Sequence, residues 1–275
     1  MRVPVGDIAL NYEEGGQGSE LVLIHGLGSS LRFWDGVREP LEKHHRVIRY
    51  DVRGFGASDR PAGPYDTVTF ARDLAGLLDA LGVARAHVVG LSMGGVMAQR
   101  FALDFPDRVR SLVLLSTSSE VGEKAVAFWN RLADLVERHG LSERVMDATR
   151  SFSPAFAAAH PDVVRAHSRP GDNDPAAYAA TARAMSRYGW TAELRNVNVP
   201  ALVVHGLADQ LTPPGGGVKL ARALPHARLL LLPEVGHFVP VEQPLLFASI
   251  VAGFAAGVDL EGESRKHEGT KCTKE

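Results

Sequence analysis

Seven short runs of β-branched and leucine residues alternate along this chain with amphipathic stretches, and that alternation restricts it to a layered α/β fold. The runs are Ile8 to Tyr12, Leu21 to Ile24, Arg46 to Tyr50, His87 to Val89, Ser111 to Leu115, Ala201 to Val204 and Leu229 to Leu232. Most are continuously apolar, as expected of strands buried on both faces. Helical periodicity is expected over Leu31 to Lys43, Val68 to Leu81, Gly95 to Phe105, Gly215 to Leu224 and Leu245 to Phe254. Helices joining successive strands imply crossover connections and a mainly parallel sheet.

Between Ser116 and about Asn198 the alternation stops and the pattern is wholly helical. Ala125, Phe128, Trp129, Leu132, Leu135 and Val136 mark one amphipathic stretch, with shorter ones around Val145, Phe156, Val163 and Ala176 to Met185. An insertion at this place lies above the carboxyl ends of the strands, where ligands bind in open α/β sheets. It reads as a lid or as a packing subdomain.

Composition removes several classes of function. A formal charge of −2 on 275 residues, with 45% hydrophobic and 23% charged residues, gives no electrostatic footprint for nucleic acid or anionic lipid. The single cysteine, Cys272, excludes a disulfide framework, a thiolate metal cage and a buried cysteine nucleophile. Met1 to Asp7 lack an apolar signal region, and no eighteen apolar residues run together. A soluble cytoplasmic protein with no membrane partner, either a monomer or a homodimer, is expected. Residues 259–275 are polar without a hydrophobic period and are expected to form a disordered tail or an expression remnant.

The pentapeptide Gly90-Leu91-Ser92-Met93-Gly94 follows the run ending at Val89 and precedes the helical stretch from Gly95. A serine on such a sharp strand-to-helix turn is set up as a nucleophile, and glycines two residues before and after it are a steric requirement. Five residues match by chance too readily to decide the matter alone. The order of strand, turn and helix gives the motif its weight.

A serine nucleophile needs a base and an acid to orient that base. Of eleven histidines, His237 lies in Pro233-Glu234-Val235-Gly236-His237-Phe238, directly after the last strand-like run, and is the candidate base. Asp209, which leaves the run Ala201 to Val204 through a glycine turn, gives the chain order Ser, Asp, His and is the candidate acid. Glu120 is the alternative. The backbone N–H groups of Met93 and Leu27 are the expected donors to a developing oxyanion. His25 reads as a brace for the turn that carries Leu27 rather than as a proton carrier.

His25-Gly26, the segment Asp51-Val52-Arg53-Gly54-Phe55-Gly56-Ala57-Ser58, the turn at Ser92, Asp209 and His237 together resemble the α/β-hydrolase family, from about Leu10 to Phe254. Leu27 to Asp35 and Arg46 to Gln99 resemble the branch containing 3-oxoadipate enol-lactonases and related carboxylesterases. The insertion and the segment Gly236 to Pro240 depart from that branch. The resemblance implies a mainly parallel sheet flanked by helices, with a helical cap inserted after the sixth strand. Residues 1–117 and 199–258 would form the core and 118–198 the cap.

It also implies hydrolysis of an ester or lactone through an acyl-enzyme, with no metal and no cofactor. The sequence has no HExxH, and Gly26-Leu27-Gly28 lacks the third glycine of a dinucleotide fingerprint. Large apolar groups in the insertion, Phe128, Trp129, Met146, Phe152, Met185, Tyr188 and Trp190, favour an apolar acyl part, N-acyl homoserine lactone being one candidate. Phe128, Trp129, Met185, Tyr188 and Trp190, with Trp34 and Phe238 outside the insertion, are the expected substrate contacts. Alternatives are 3-oxoadipate enol-lactone hydrolysis, which would use cations such as Arg131, Arg138, Arg183 or Arg187, cofactor-free perhydrolysis, carbon–carbon bond hydrolysis, and non-catalytic small-molecule reception.

Overall fold

The strands form one eight-stranded sheet in the order β1-β2-β4-β3-β5-β6-β7-β8. Their ranges are β1 Arg2–Val5, β2 Ile8–Gly15, β3 Glu20–Ile24, β4 Arg46–Tyr50, β5 Ala86–Leu91, β6 Val109–Leu115, β7 Ala201–Gly206 and β8 Ala227–Leu232. The structure is a computed structural model and describes residues 1–142 and 146–271. Val145, expected in a short helix, lies outside the described residues, as does Cys272. The pairs β1/β2 and β2/β4 are antiparallel, and every other pairing is parallel.

Burial on both faces explains why the central runs are continuously apolar. In β3, Val22 and Ile24 enter one core while Leu21 and Leu23 enter the other. Val88 and Val89 of β5, and Leu112 and Val113 of β6, divide in the same way. Successive side chains of a strand point to opposite faces, so a strand between two helical layers needs apolar residues at every position. Each such residue contributes roughly 1.5 to 3 kcal/mol by leaving water.

Helices α1 Asp35–Glu42 and α10 Pro244–Lys271 cover one face, through Val37, Leu41, Phe247 and Val251. Helices α2 Thr67–Ala80, α3 Met93–Asp104 and α8 Pro214–Ala223 cover the other, through Phe70, Leu74, Phe101 and Leu220. Between β6 and β7 lie α4 Glu123–His139, α5 Pro154–Ala159, α6 Pro161–His167 and α7 Pro175–Met185. The two ends of this insertion are stitched together, with Val121 N donating to Tyr188 O at 3.1 Å and Trp190 N to Ser119 O at 3.1 Å. Short α9, Val239–Glu242, follows His237.

Two features differ from the sequence reading. The strand β1 was not expected, and Pro4 explains why: proline weakens the signal of a strand, yet is tolerated on an edge, which is where β1 lies. The insertion therefore follows the sixth strand observed, which is the fifth of the seven expected runs. At the other end, the expected disordered tail from Asp259 continues α10 as far as Lys271. Asp259 itself accepts from His87 Nε2 at 3.1 Å, which anchors the helix beyond its apolar part. Among the described residues, Pro244–Gly262 is the one helical segment long and apolar enough to cross a membrane by length and composition. Here Phe247, Ala248, Val251 and Ala255 pack it into the core.

Candidate active site

Ser92 directly follows β5 and caps the start of α3 with φ 54° and ψ −115°, a left-handed backbone that a serine adopts only under strain. The turn is held from both sides: Ser92 N donates to Leu115 O at 2.9 Å, and Thr117 Oγ1 donates to Ser92 O at 2.9 Å. A Cβ on Gly90 would collide with the carbonyl of Gly94, and one on Gly94 with the carbonyl of Ile24. The two glycines let β5 and α3 approach closely enough to lift Ser92 to the rim of the sheet.

His237 and Asp209 arrive from the ends of the adjacent strands β8 and β7. His237 Nδ1 donates to Asp209 Oδ2 at 2.8 Å, and both side chains are almost fully buried. A carboxylate only accepts, so the proton resides on Nδ1 and the lone pair of Nε2 is left to accept another. Asp209 Oδ1 accepts from Leu211 N and Thr212 N, each at 2.8 Å. Burial pushes the Asp209 carboxyl up, but the charge of His237 and the hydrogen bonds from His205, His237 and Thr212 outweigh it and hold the group well below the usual carboxylate range. Glu120, the alternative acid, is exposed and paired with Lys219 and Thr191.

The loop carrying His237, the candidate base, is pinned by contacts the sequence did not reveal. Ser116 Oγ donates to His237 O at 2.9 Å. The buried carboxylate of Glu242 accepts from Gly236 N at 2.9 Å, Ser153 N at 2.9 Å and Ser153 Oγ at 2.6 Å, tying the insertion to the loop that carries His237. No spacing rule predicts this clamp, because Ser153 and Glu242 lie 89 residues apart.

His25 braces the neighbouring turn. Its Nδ1 donates to Gly26 O at 2.8 Å and its Nε2 accepts from Val52 N at 3.0 Å. Burial holds its pKa down, against opposing contributions from the Gly26 carbonyl and Asp51. Among the described residues, neither Leu27 N nor Met93 N has a recorded acceptor. Asn173 Nδ2, from the insertion, donates to Gly28 O at 2.8 Å and fixes the same turn from above.

Ser92 and His237 line one cavity of about 610 Å³, together with Leu27, Phe33, His167 and Phe238. A second, more apolar chamber of about 300 Å³ opens from Ser92 and is lined by Met93, Val96, Val121, Met185 and Tyr188. Phe128 and Trp129 line both. Volumes in this range suit a small organic ligand. Among the described residues, no group of three or more His, Cys, Asp or Glu that could hold a metal ion is found.

Two expected substrate contacts are corrected. Trp34 is fully buried, stacked on Phe247 with centroids 6.1 Å apart, on the α1/α10 side of the sheet. It closes a 3₁₀ turn, Leu31–Trp34, in which residues three apart share a face, so Leu31 and Trp34 point inward and Phe33 lines the cavity instead. Trp190 is also buried, its Nε1 donating to Gln99 Oε1 at 3.0 Å, and it fastens the insertion to α3. His167, Arg32, Arg150, Arg169 and Asn173 reach the cavity without having been expected there.

Comparison with known proteins agrees with this architecture. The chain is 34% identical over 245 residues to 3-oxoadipate enol-lactonase 2 of Acinetobacter baylyi, covering 88% of this chain and 91% of that protein. A thermophilic esterase from Thermogutta terrifontis superposes with a TM-score of 0.88 at 30% identity, covering 94% of this chain and 99% of the esterase. Est816, described as an N-acyl homoserine lactone degrading enzyme, superposes with a TM-score of 0.80 at 28% identity, covering 92% and 100%. A model of the alpha/beta hydrolase fold matches residues 21–244, a span that runs from β3 through the serine turn and the insertion to the base. With that match, and a mainly parallel sheet that carries Ser92, Asp209 and His237 at the ends of its strands, this chain belongs to the α/β-hydrolase fold family.

Proposed function

We propose that this protein is a serine hydrolase that cleaves carboxylic esters or lactones through an acyl-enzyme. The observation that carries the reading is the meeting of a strained turn serine with a buried His237–Asp209 pair at one cavity. His237 Nε2 takes the proton of Ser92 as Oγ attacks the carbonyl, and Asp209 stabilises the resulting imidazolium. Leu27 N and Met93 N receive the oxyanion, at about 3 kcal/mol per donor in comparable sites. His237 then gives its proton to the leaving oxygen. In the second half it activates water, which releases the acid and restores Ser92.

In this reading the two chambers take the two halves of the substrate. The leaving oxygen must collect its proton from His237, which lines the larger chamber and not the apolar one. The leaving group therefore occupies the larger chamber, and the acyl part lies among Val96, Val121, Met185 and Tyr188. An apolar acyl group follows, with N-acyl homoserine lactone as a candidate that the likeness to Est816 supports.

One observation favours 3-oxoadipate enol-lactone as a second reading, beyond the likeness to the Acinetobacter enzyme. Arg131, Arg138, Arg183 and Arg187 line neither chamber, and Arg183 is paired with Asp134 and Glu137. Arg32, Arg150 and Arg169 line the larger chamber, where a carboxylate on the leaving side would sit.

Turnover of short and medium acyl-chain lactones, the enol-lactone and p-nitrophenyl esters separates these readings. The main reading expects faster turnover as an acyl chain lengthens to fill the small chamber. Rapid turnover of the compact dianionic lactone alone selects the second. Slow or single turnover of all of them would favour a receptor.

A further inference from the structure

We propose that His205, a buried histidine outside the Ser92–His237–Asp209 set, is a positioning residue that shares the Asp209 carboxylate with His237 and thereby limits how strongly His237 retains its proton. The inference rests on the serine-hydrolase reading and assigns a role that this reading does not require.

His205 is the fifth residue of β7 and is fully buried. Its Nε2 lies 2.7 Å from Thr212 O and 3.3 Å from Asp209 Oδ2. A carbonyl oxygen only accepts, so Nε2 carries the hydrogen; it donates to Thr212 O and places its positive end beside Asp209 Oδ2. On the opposite edge of the ring, Nδ1 is buried without a partner among the described residues, where α8 packs against it at Gly217. An unpaired buried nitrogen costs roughly 1 to 3 kcal/mol. The preceding positions, Val203 and Val204, show that this strand interior accepts aliphatic residues. What a histidine adds at this position is the Nε2–H.

Asp209 accepts three hydrogen bonds, from Leu211 N and Thr212 N on Oδ1 and from His237 Nδ1 on Oδ2, and the His205 Nε2–H lies 3.3 Å from Oδ2 as a fourth polar neighbour. Thr212 is gripped twice, by its N–H to Asp209 and by its carbonyl from His205, so the turn that presents the acid is closed at both ends. Gly217 of α8 packs against the ring, and Leu231 of β8 is the register partner of His205. Among the described residues, the titratable groups paired within this cluster are His205, Asp209 and His237. Removing the His205 N–H leaves the carboxylate's charge on Oδ2 to His237 alone. The imidazolium gains stability, and the unprotonated base needed for attack appears only at higher pH.

The test uses a fluorophosphonate and reads its rate of inactivation from pH 5 to 9, so it needs no substrate. Wild type is compared with His205→Phe, which keeps the ring volume without a donor, and His205→Gln, whose amide can donate again. The acidic limb is expected to move up by about half to one pH unit in His205→Phe and to stay within about 0.2 in His205→Gln, with the rates converging near pH 9. An unmoved or lowered limb in His205→Phe, or an equal shift in His205→Gln, would overturn the role, since a merely structural residue lowers the rate at every pH. Should His205→Phe fail to fold, ¹⁵N-histidine spectra of the wild type decide. An Nε2–H tautomer at His205, whose resonance responds as His237 titrates, supports the role, and an Nδ1–H tautomer overturns it. Failure of the wild type to label at Ser92 at any pH would instead overturn the serine-hydrolase reading beneath it.

Discussion

At the scale of single residues, the energetic signature of the site is the backbone of Ser92. A non-glycine residue at φ 54° costs on the order of 1 to 3 kcal/mol, and two backbone hydrogen bonds and two close-packed glycines hold it there. Ser92→Ala is expected to lower kcat/KM by on the order of 10⁴ to 10⁶ in steady-state assays on any ester the protein turns over. Asp209→Asn should keep the fold and lose on the order of 10⁴, because an amide can present a donor to His237 and favour the wrong tautomer. Loss of less than tenfold in either variant would place the chemistry elsewhere. Ser92, His237 and Asp209 were legible in the sequence as candidates because each adjoins the end of a recognisable strand, and the structure joins His237 to Asp209 by a hydrogen bond. Side-chain direction was less legible: Phe33 and Trp34 are neighbours of the same chemical kind, and only the phase of a four-residue 3₁₀ turn sends one to the cavity and the other to the core.

At the scale of elements, α10 is joined to the sheet by a polar contact as well as by its apolar stripe. His87 of β5 is wholly buried, bonded through Nδ1 to Ser111 and through Nε2 to Asp259 of α10. Burial lowers its pKa to about 4, against the opposing pull of Asp259. Because the folded value lies below the ordinary one, the unfolded chain binds the proton first. The contribution to stability is complete above about pH 6.5 and is lost as the pH falls toward 4, a change on the order of 3 kcal/mol. Urea denaturation between pH 7 and pH 4.5 should show this loss, and His87→Gln should reduce its slope in that window. An unchanged slope would mean that other groups carry the acid sensitivity. Sequence reading lost this anchor when the absence of an apolar period after Phe254 made Asp259 look like part of a tail. A helix can propagate through polar residues when its stem is packed, and one buried histidine is enough to hold the next turn.

For the whole molecule, function depends on strand order. β5, β6, β7 and β8 are consecutive neighbours, so Ser92, Asp209 and His237 emerge at one edge although they lie far apart in the chain. The insertion after β6 completes the site with Phe128, Trp129, Met185 and Tyr188, and Asn173 and Ser153 tie it to the turns that carry Leu27 and His237. Alternating strands and helices announced this architecture. The ties themselves were illegible, since each joins residues whose proximity only the completed fold creates. The most direct test of the central claim is the intact mass of the protein after reaction with a fluorophosphonate, followed by peptide mapping. The account predicts one adduct per chain, located on Ser92, slowed by orders of magnitude in His237→Ala and absent in Ser92→Ala. Labelling at another residue, or labelling of Ser92 at the same rate without His237, would contradict it.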